Sequence, residues 1–117
     1  MTLQHVVLFS FPQPLSEPDA AGMKSQVASW PREIGGMTRL RFGEDLTGAR
    51  TNGYCRLLYM EFDSTDALRR YQQHPVHQTF LRWLSERQCT PLAFDYRLDA
   101  GTVLMPEGPD RREEGEP

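Results

Sequence analysis

Apolar positions along the chain recur with two different periods, and the switches between them mark out the elements. Leu3 to Phe11 (LQHVVLFSF) is dense in β-branched and aromatic residues and too short for a helix. It predicts a strand, ended by Pro12 and Pro14. Ser16-Glu17-Pro18-Asp19 then supplies a helix N-cap with proline and acids in the first turn. Met23, Val27 and Trp30 follow at helical spacing, and Pro31 with Gly35-Gly36 predicts the helix end. Met37 to Gly43 alternates, setting Thr38, Leu40 and Phe42 on one side of a strand and Arg39 and Arg41 on the other. After a polar loop, Tyr54 to Phe62 (YCRLLYMEF) predicts a long strand. Ser64 caps a second helix carrying Leu68 and Tyr71. His74-Pro75 interrupts it, because a residue before proline is pushed out of the helical region while proline suits a new helix start. His77, Phe80, Leu81 and Leu84 continue at i, i+3, i+4 and i+7, and Pro91 to Leu98 (PLAFDYRL) predicts the last strand. The order is that of an α+β, ferredoxin-like βαββαβ fold, a four-stranded antiparallel sheet with its helices on one face.

Such a sheet leaves its other face bare. Val6, Leu8, Tyr59, Phe94 and Tyr96 fall there by alternation, an apolar area that marks a partner surface. A homodimer, sheet face to sheet face, covers it most simply.

Composition narrows the function. With 117 residues, 38% hydrophobic and 25% charged, the chain suits one globular domain. Its net charge of −3 argues against a general nucleic-acid binder. That charge sits in the closing stretch PEGPDRREEGEP, too polar and too rich in proline and glycine to bury. The expected domain therefore covers residues 1–100, and 101–117 is expected to be a disordered acidic tail. No segment reaches the length of a membrane span or has the flanks of a secretory signal. Cys55 and Cys89 are read as free thiols of a cytoplasmic protein. No dinucleotide or phosphate-binding glycine loop, CxxC pair or G-x-S-x-G turn is present.

Several pieces occur together in order: His5-Val6-Val7-Leu8-Phe9, Gly53-Tyr54, Phe62-Asp63-Ser64, Tyr71 with His74-Pro75-Val76-His77, and Phe94-Asp95-Tyr96. Together they resemble the stress-responsive A/B barrel (Dabb) family over residues 3 to about 98. The resemblance implies a dimeric α/β barrel with a pocket between helices and sheet in each subunit. It implies function less firmly, since the family holds stress-induced proteins without established catalysis beside cyclases that fold linear polyketides by cofactor-free aldol chemistry. In those cyclases the second histidine of the HPxH block is the base and the preceding tyrosine its partner, which map onto His77 and Tyr71.

Alternation and helical spacing suggest the pocket wall. His5, Val7 and Phe9 share a face of the first strand, as do Arg56, Leu58 and Met60 of the third, and Ala93 and Asp95 of the last. Met23, Val27, Trp30, Tyr71, Phe80 and Leu84 face them from the helices. An apolar chamber with few polar groups suits a small molecule. His77 stands in the first turn of its helix, where the dipole disfavours imidazolium, so a neutral ring able to take a proton is expected. The Tyr71 hydroxyl would hold a developing enolate oxygen, and Asp95 or His5 would orient the imidazole. The plainer alternatives are a helix-start histidine bonded to local backbone and a core tyrosine. Arg56 needs a partner if it points inward, Asp95 or an anionic substrate. His5, His74 and His77 form a poor zinc set, since Pro75 holds His74 at the helix boundary and no acid is placed as a further ligand. No metal and no cofactor is expected. The leading expectation is a cofactor-independent cyclase acting on a carbonyl-rich, polyketide-like metabolite by aldol or lactone chemistry. The alternatives are a non-catalytic stress or ligand-binding homodimer and, by fold analogy, a cofactor-free oxygenase or isomerase.

Overall fold

The computed structural model describes residues 2–105. Seven elements follow in order: β1 (Thr2–Ser10), α1 (Glu17–Glu33), β2 (Met37–Glu44), β3 (Tyr54–Phe62), α2 (Thr65–Gln73), α3 (Pro75–Glu86) and β4 (Thr90–Leu98). The strands form one sheet in the order β2-β3-β1-β4, each neighbouring pair antiparallel. This is the expected ferredoxin-like α+β fold.

Local chemistry sets the element ends. The Ser16 hydroxyl accepts from Asp19 N at 3.2 Å and caps α1. The helix runs past Pro31, whose missing N–H is tolerated in the last turn, and stops where Gly35 (φ 74°) and Gly36 (φ 85°) adopt left-handed backbone. Ser64 caps α2 by accepting from Ala67 N at 3.1 Å. His74 has extended backbone (φ −67°, ψ 138°) and separates α2 from α3. Its Nδ1 accepts from Val76 N at 3.1 Å, so His74 serves as a cap.

The core lies between the helices and one sheet face. Trp30, Met23 and Val27 of α1, Tyr71 of α2, and Phe80 and Leu84 of α3 pack over Phe9, Leu58, Met60 and Phe62. α1 packs on β2 and α2 on β3, but no helix packs extensively on β4, whose residues are exposed along almost its whole length. One clamp ties the helical layer together. Arg87 donates two hydrogen bonds to the Asp19 carboxylate, at 2.9 and 3.0 Å, and lies 4.0 Å over the Trp83 ring.

One strand facing needs correcting. A register shift between Met37 and Arg39 turns Thr38 away from Leu40 and Phe42. Its hydroxyl instead donates to Glu61 Oε1 at 2.7 Å, on the open sheet face. Past β4, Gly101 and Thr102 belong to a turn whose amides donate to Asp99 Oδ1. The acidic stretch itself falls outside the described residues.

The open face carries the expected apolar side chains, with Phe94 66% and Tyr96 40% exposed, and adds Leu57 and Leu92. One end of it is polar. Tyr59 OH donates to Gln4 Oε1, and Gln4 Nε2 donates to Glu61 Oε2 at 3.0 Å. Burial alone would raise the Glu61 pKa. The hydrogen bonds from Thr38, Gln4 and Thr2, with the charge of Arg39, outweigh it and hold the carboxyl below its ordinary range.

Candidate functional site

A cavity of about 160 Å³ lies between the sheet and the α2–α3 pair. His5, Val7 and Phe9 of β1, Leu58 of β3 and Ala93 of β4 line it from below. Tyr71 and Gln72 of α2, His77, Phe80, Leu81 and Leu84 of α3, and Pro91 complete the wall. Of these, His5, Tyr71 and His77 carry titratable groups and Gln72 an amide.

The helix break sets the state of His77. In an unbroken helix the Gln72 carbonyl would accept from Val76 N. Here Val76 N is taken by the His74 imidazole, so the carbonyl is released. His77 Nδ1 lies 3.1 Å from it, and Gln78 Nε2 donates to the same oxygen at 2.8 Å. A carbonyl only accepts, so His77 carries its proton on Nδ1 and Nε2 keeps its lone pair. Burial lowers the His77 pKa. The Gln72 hydrogen bond opposes this, the nearby His5 adds to it, and the net shift is downward. The direction is the one expected from the sequence, with burial as the main source.

Tyr71 stands beside this ring, their centroids 4.4 Å apart, and is 2% exposed. Burial pushes its hydroxyl further above the ordinary phenol range, so it remains an O–H donor and is never a phenolate in neutral solution. Tyr71 also meets the His5 ring edge-on, at 5.8 Å between centroids, and His5 is 5% exposed. His5 Nδ1 is paired with the Asp95 carboxylate, which fixes its tautomer in the same way. Asp95 thus orients His5, and the Gln72 backbone carbonyl, not Asp95 or His5, orients His77.

The structure brings His5, Val7, Phe9, Leu58, Tyr71, His77, Phe80 and Leu84 together around one space. It does not bring the others. Met23, Val27, Trp30 and Met60 are wholly in the solid core, because helical and strand periodicity names the inward face but not the depth at which packing closes. Trp30 Nε1 has no hydrogen-bond partner among the described residues. Arg56 turns toward the edge strand, where its guanidinium meets Glu44 at 3.2 Å, so its carboxylate partner is Glu44 and not Asp95. It lines a broader depression of about 660 Å³ beside the 45–53 loop, whose apolar floor of Leu8, Leu57 and Leu92 belongs to the open sheet face. Asp95 stands behind His5, off the cavity wall.

Sequence reasoning did not assign Gln72, Leu81 or Pro91 to the wall. Leu81 shares the stripe of His77 and Leu84, and Pro91 shares the strand face of Ala93, so alternation carried both signals. Gln72 gave none, since its part is played by a main-chain carbonyl. Among the described residues no group of three histidine, cysteine, aspartate or glutamate side chains is placed to hold a metal ion. Burial pushes the Cys89 thiol up, away from the thiolate form, and Cys89 is not on the cavity wall. No helix among the described residues is long and apolar enough to cross a membrane.

The model of the stress responsive A/B barrel domain, Dabb, matches residues 3–98, and the chain belongs to this family. No curated protein matches it in sequence. Solved structures share the fold. A dimeric ferredoxin-like protein of unknown function from Thermobifida fusca YX is 24% identical with a TM-score of 0.72, over 84% of this chain and 92% of its own. The hydroxynitrile lyase from Passiflora edulis is 16% identical, TM-score 0.74, over 85% and 94%. The cofactor-independent oxygenase SnoaB from Streptomyces nogalater is 12% identical, TM-score 0.66, over 83% and 92%. Proteins of this fold thus include enzymes and proteins of unknown function.

Proposed function

We propose that this Dabb-family chain binds a small carbonyl compound and performs cofactor-independent acid–base chemistry on it, an aldol or lactone type of cyclisation of a polyketide-like metabolite, of which the aldol reaction is the one these groups fit. The observation that carries this reading is His77, neutral, with Nδ1–H held by the Gln72 carbonyl and Nε2 bare, on the wall of a cavity shared with the Tyr71 hydroxyl. Nε2 takes the proton from a carbon beside a carbonyl, and the enolate adds to a second carbonyl. Tyr71 O–H donates to the developing oxyanion, and the imidazolium returns its proton to the product oxygen. The reverse sequence cleaves an aldol through the same groups. His5, fixed by Asp95, presents its second nitrogen to the guest. About 160 Å³ admits a compact reacting unit, since a cavity of similar size holds one benzene in another protein. A polycyclic product does not fit there.

The active unit proposed is a homodimer joined through the open face, which agrees with the dimeric state of the Thermobifida fusca protein. A second reading, a ligand-binding dimer without turnover, is favoured by the near-complete burial of Tyr71. Retro-aldol cleavage of diacetone alcohol, followed by acetone release, separates the two. His77→Ala is expected to lower the enzymatic rate by about 10²–10⁴-fold with the dimer intact. Equal rates for the two proteins would remove the mechanism.

A further inference from the structure

Two side chains of α3 bridge its break from α2 by bonding one oxygen. His77 Nδ1 lies 3.1 Å from the Gln72 carbonyl oxygen, and Gln78 Nε2 donates to the same oxygen at 2.8 Å. Gln72 lies in the last turn of α2, so its carbonyl stands at the negative end of that helix dipole. A carbonyl there bonds an imidazolium N–H more strongly than a neutral one. Two donors on one oxygen divide its lone pairs, and the positive ends of their N–H dipoles repel. Gln78 is exposed, and its backbone N–H donates to the His74 carbonyl at 3.0 Å, which sets the side chain one place after His77 on the same helix start. The Gln78 amide carries no charge at any working pH, so it competes for the oxygen without titrating.

We infer that Gln78 is a positioning residue for the reaction: by sharing the Gln72 carbonyl with His77 it weakens the pull of that oxygen on an imidazolium and keeps the ring a neutral base. This rests on the reading of His77 as the base and adds the side chain that tunes it. The other titratable side chains bearing on His77 are Tyr71 of α2 and His5 of β1, with Asp95 of β4 behind His5, while α1 brings the uncharged Trp30 ring. Tyr71 stays an O–H donor, and His5 opposes a charge on His77. Gln78 acts on the contact that favours the charged form, the Gln72 hydrogen bond.

Nitrogen NMR of His77 in the full chain tests this with two variants. Gln78→Met keeps the side-chain length and helix preference but removes the donor, and Gln78→Arg keeps a donor of sufficient reach. Gln78→Met is expected to raise the pH at which His77 titrates. It is also expected to slow exchange of the Nδ1 proton with water about two- to fivefold, since the carbonyl then serves one donor. Gln78→Arg is expected to titrate no higher than the native chain. A purely structural role predicts the opposite for the exchange, because a ring set loose exchanges faster. A Gln78→Met titration unmoved or lowered, a faster exchange, or a Gln78→Arg titration raised as far as that of Gln78→Met would overturn the inference and leave His77 standing as the base. A native His77 protonated at Nε2 would overturn both.

Discussion

A histidine two places after a helix-starting proline is a common local arrangement, and what sets His77 apart is the acceptor that reaches it. The HPxH block was readable as a break and a base, but the Gln72 carbonyl that fixes the tautomer was not, because main-chain acceptors leave no trace in side-chain pattern. His5 and Asp95 were likewise foreseen on one face without their pairing. The pH consequence follows from the direction of the His77 shift. Its pKa in the fold lies below the ordinary value near 6.5. The base is therefore neutral at pH 7, and the stability that this adds is complete above the unfolded pKa and lost as pH falls through the folded one. A pH–rate profile on diacetone alcohol should be level around pH 7 and fall only below 6.5. A descending limb at or above 6.5 would contradict the assignment.

Element order was legible because strands and helices switch period so cleanly, and because Ser16, Ser64 and Pro75 mark helix starts. Register shifts were not. The irregularity after Met37 moves Thr38 across the sheet, and the one between Phe9 and Ser10 accompanies the turn of Arg56 toward Glu44. Periodicity gave a face for Met23, Val27, Trp30 and Met60 but could not say that packing fills the space in front of them. The α2–α3 break is the element on which the site depends. In Pro75→Ala the two helices can join, the Gln72 carbonyl can accept from Val76 N, and His77 loses its anchor. Turnover should fall about ten- to a hundredfold through misplacement of the base, with the melting temperature little changed. Unaltered turnover beside continuous helical signals would show that the break is dispensable.

For the whole molecule, the helices cover one face of the sheet and leave the other with Phe94, Leu92, Leu57 and Tyr96 exposed, and with a partly buried polar network of Gln4, Tyr59 and Glu61 at one end. A face that is apolar at one end and polar at the other suits a copy of itself set with like ends together, which pairs apolar with apolar area. Phe94→Glu places a charge in the apolar part and should convert the dimer to monomer in sedimentation at micromolar concentration. A persistent dimer would move the interface elsewhere. Because the cavity lies on the helical side, the monomer should still bind acetylacetone.

All of this rests on one ring holding its proton on the nitrogen turned to the backbone. Nitrogen NMR of the labelled imidazoles reads it directly, across a pH titration with and without acetylacetone. The result expected for His77 is a neutral ring at pH 7, protonated at Nδ1, titrating below 6.5, with the Nε2 signal moved by acetylacetone. A ring protonated at Nε2, or still charged at pH 7, would contradict the account.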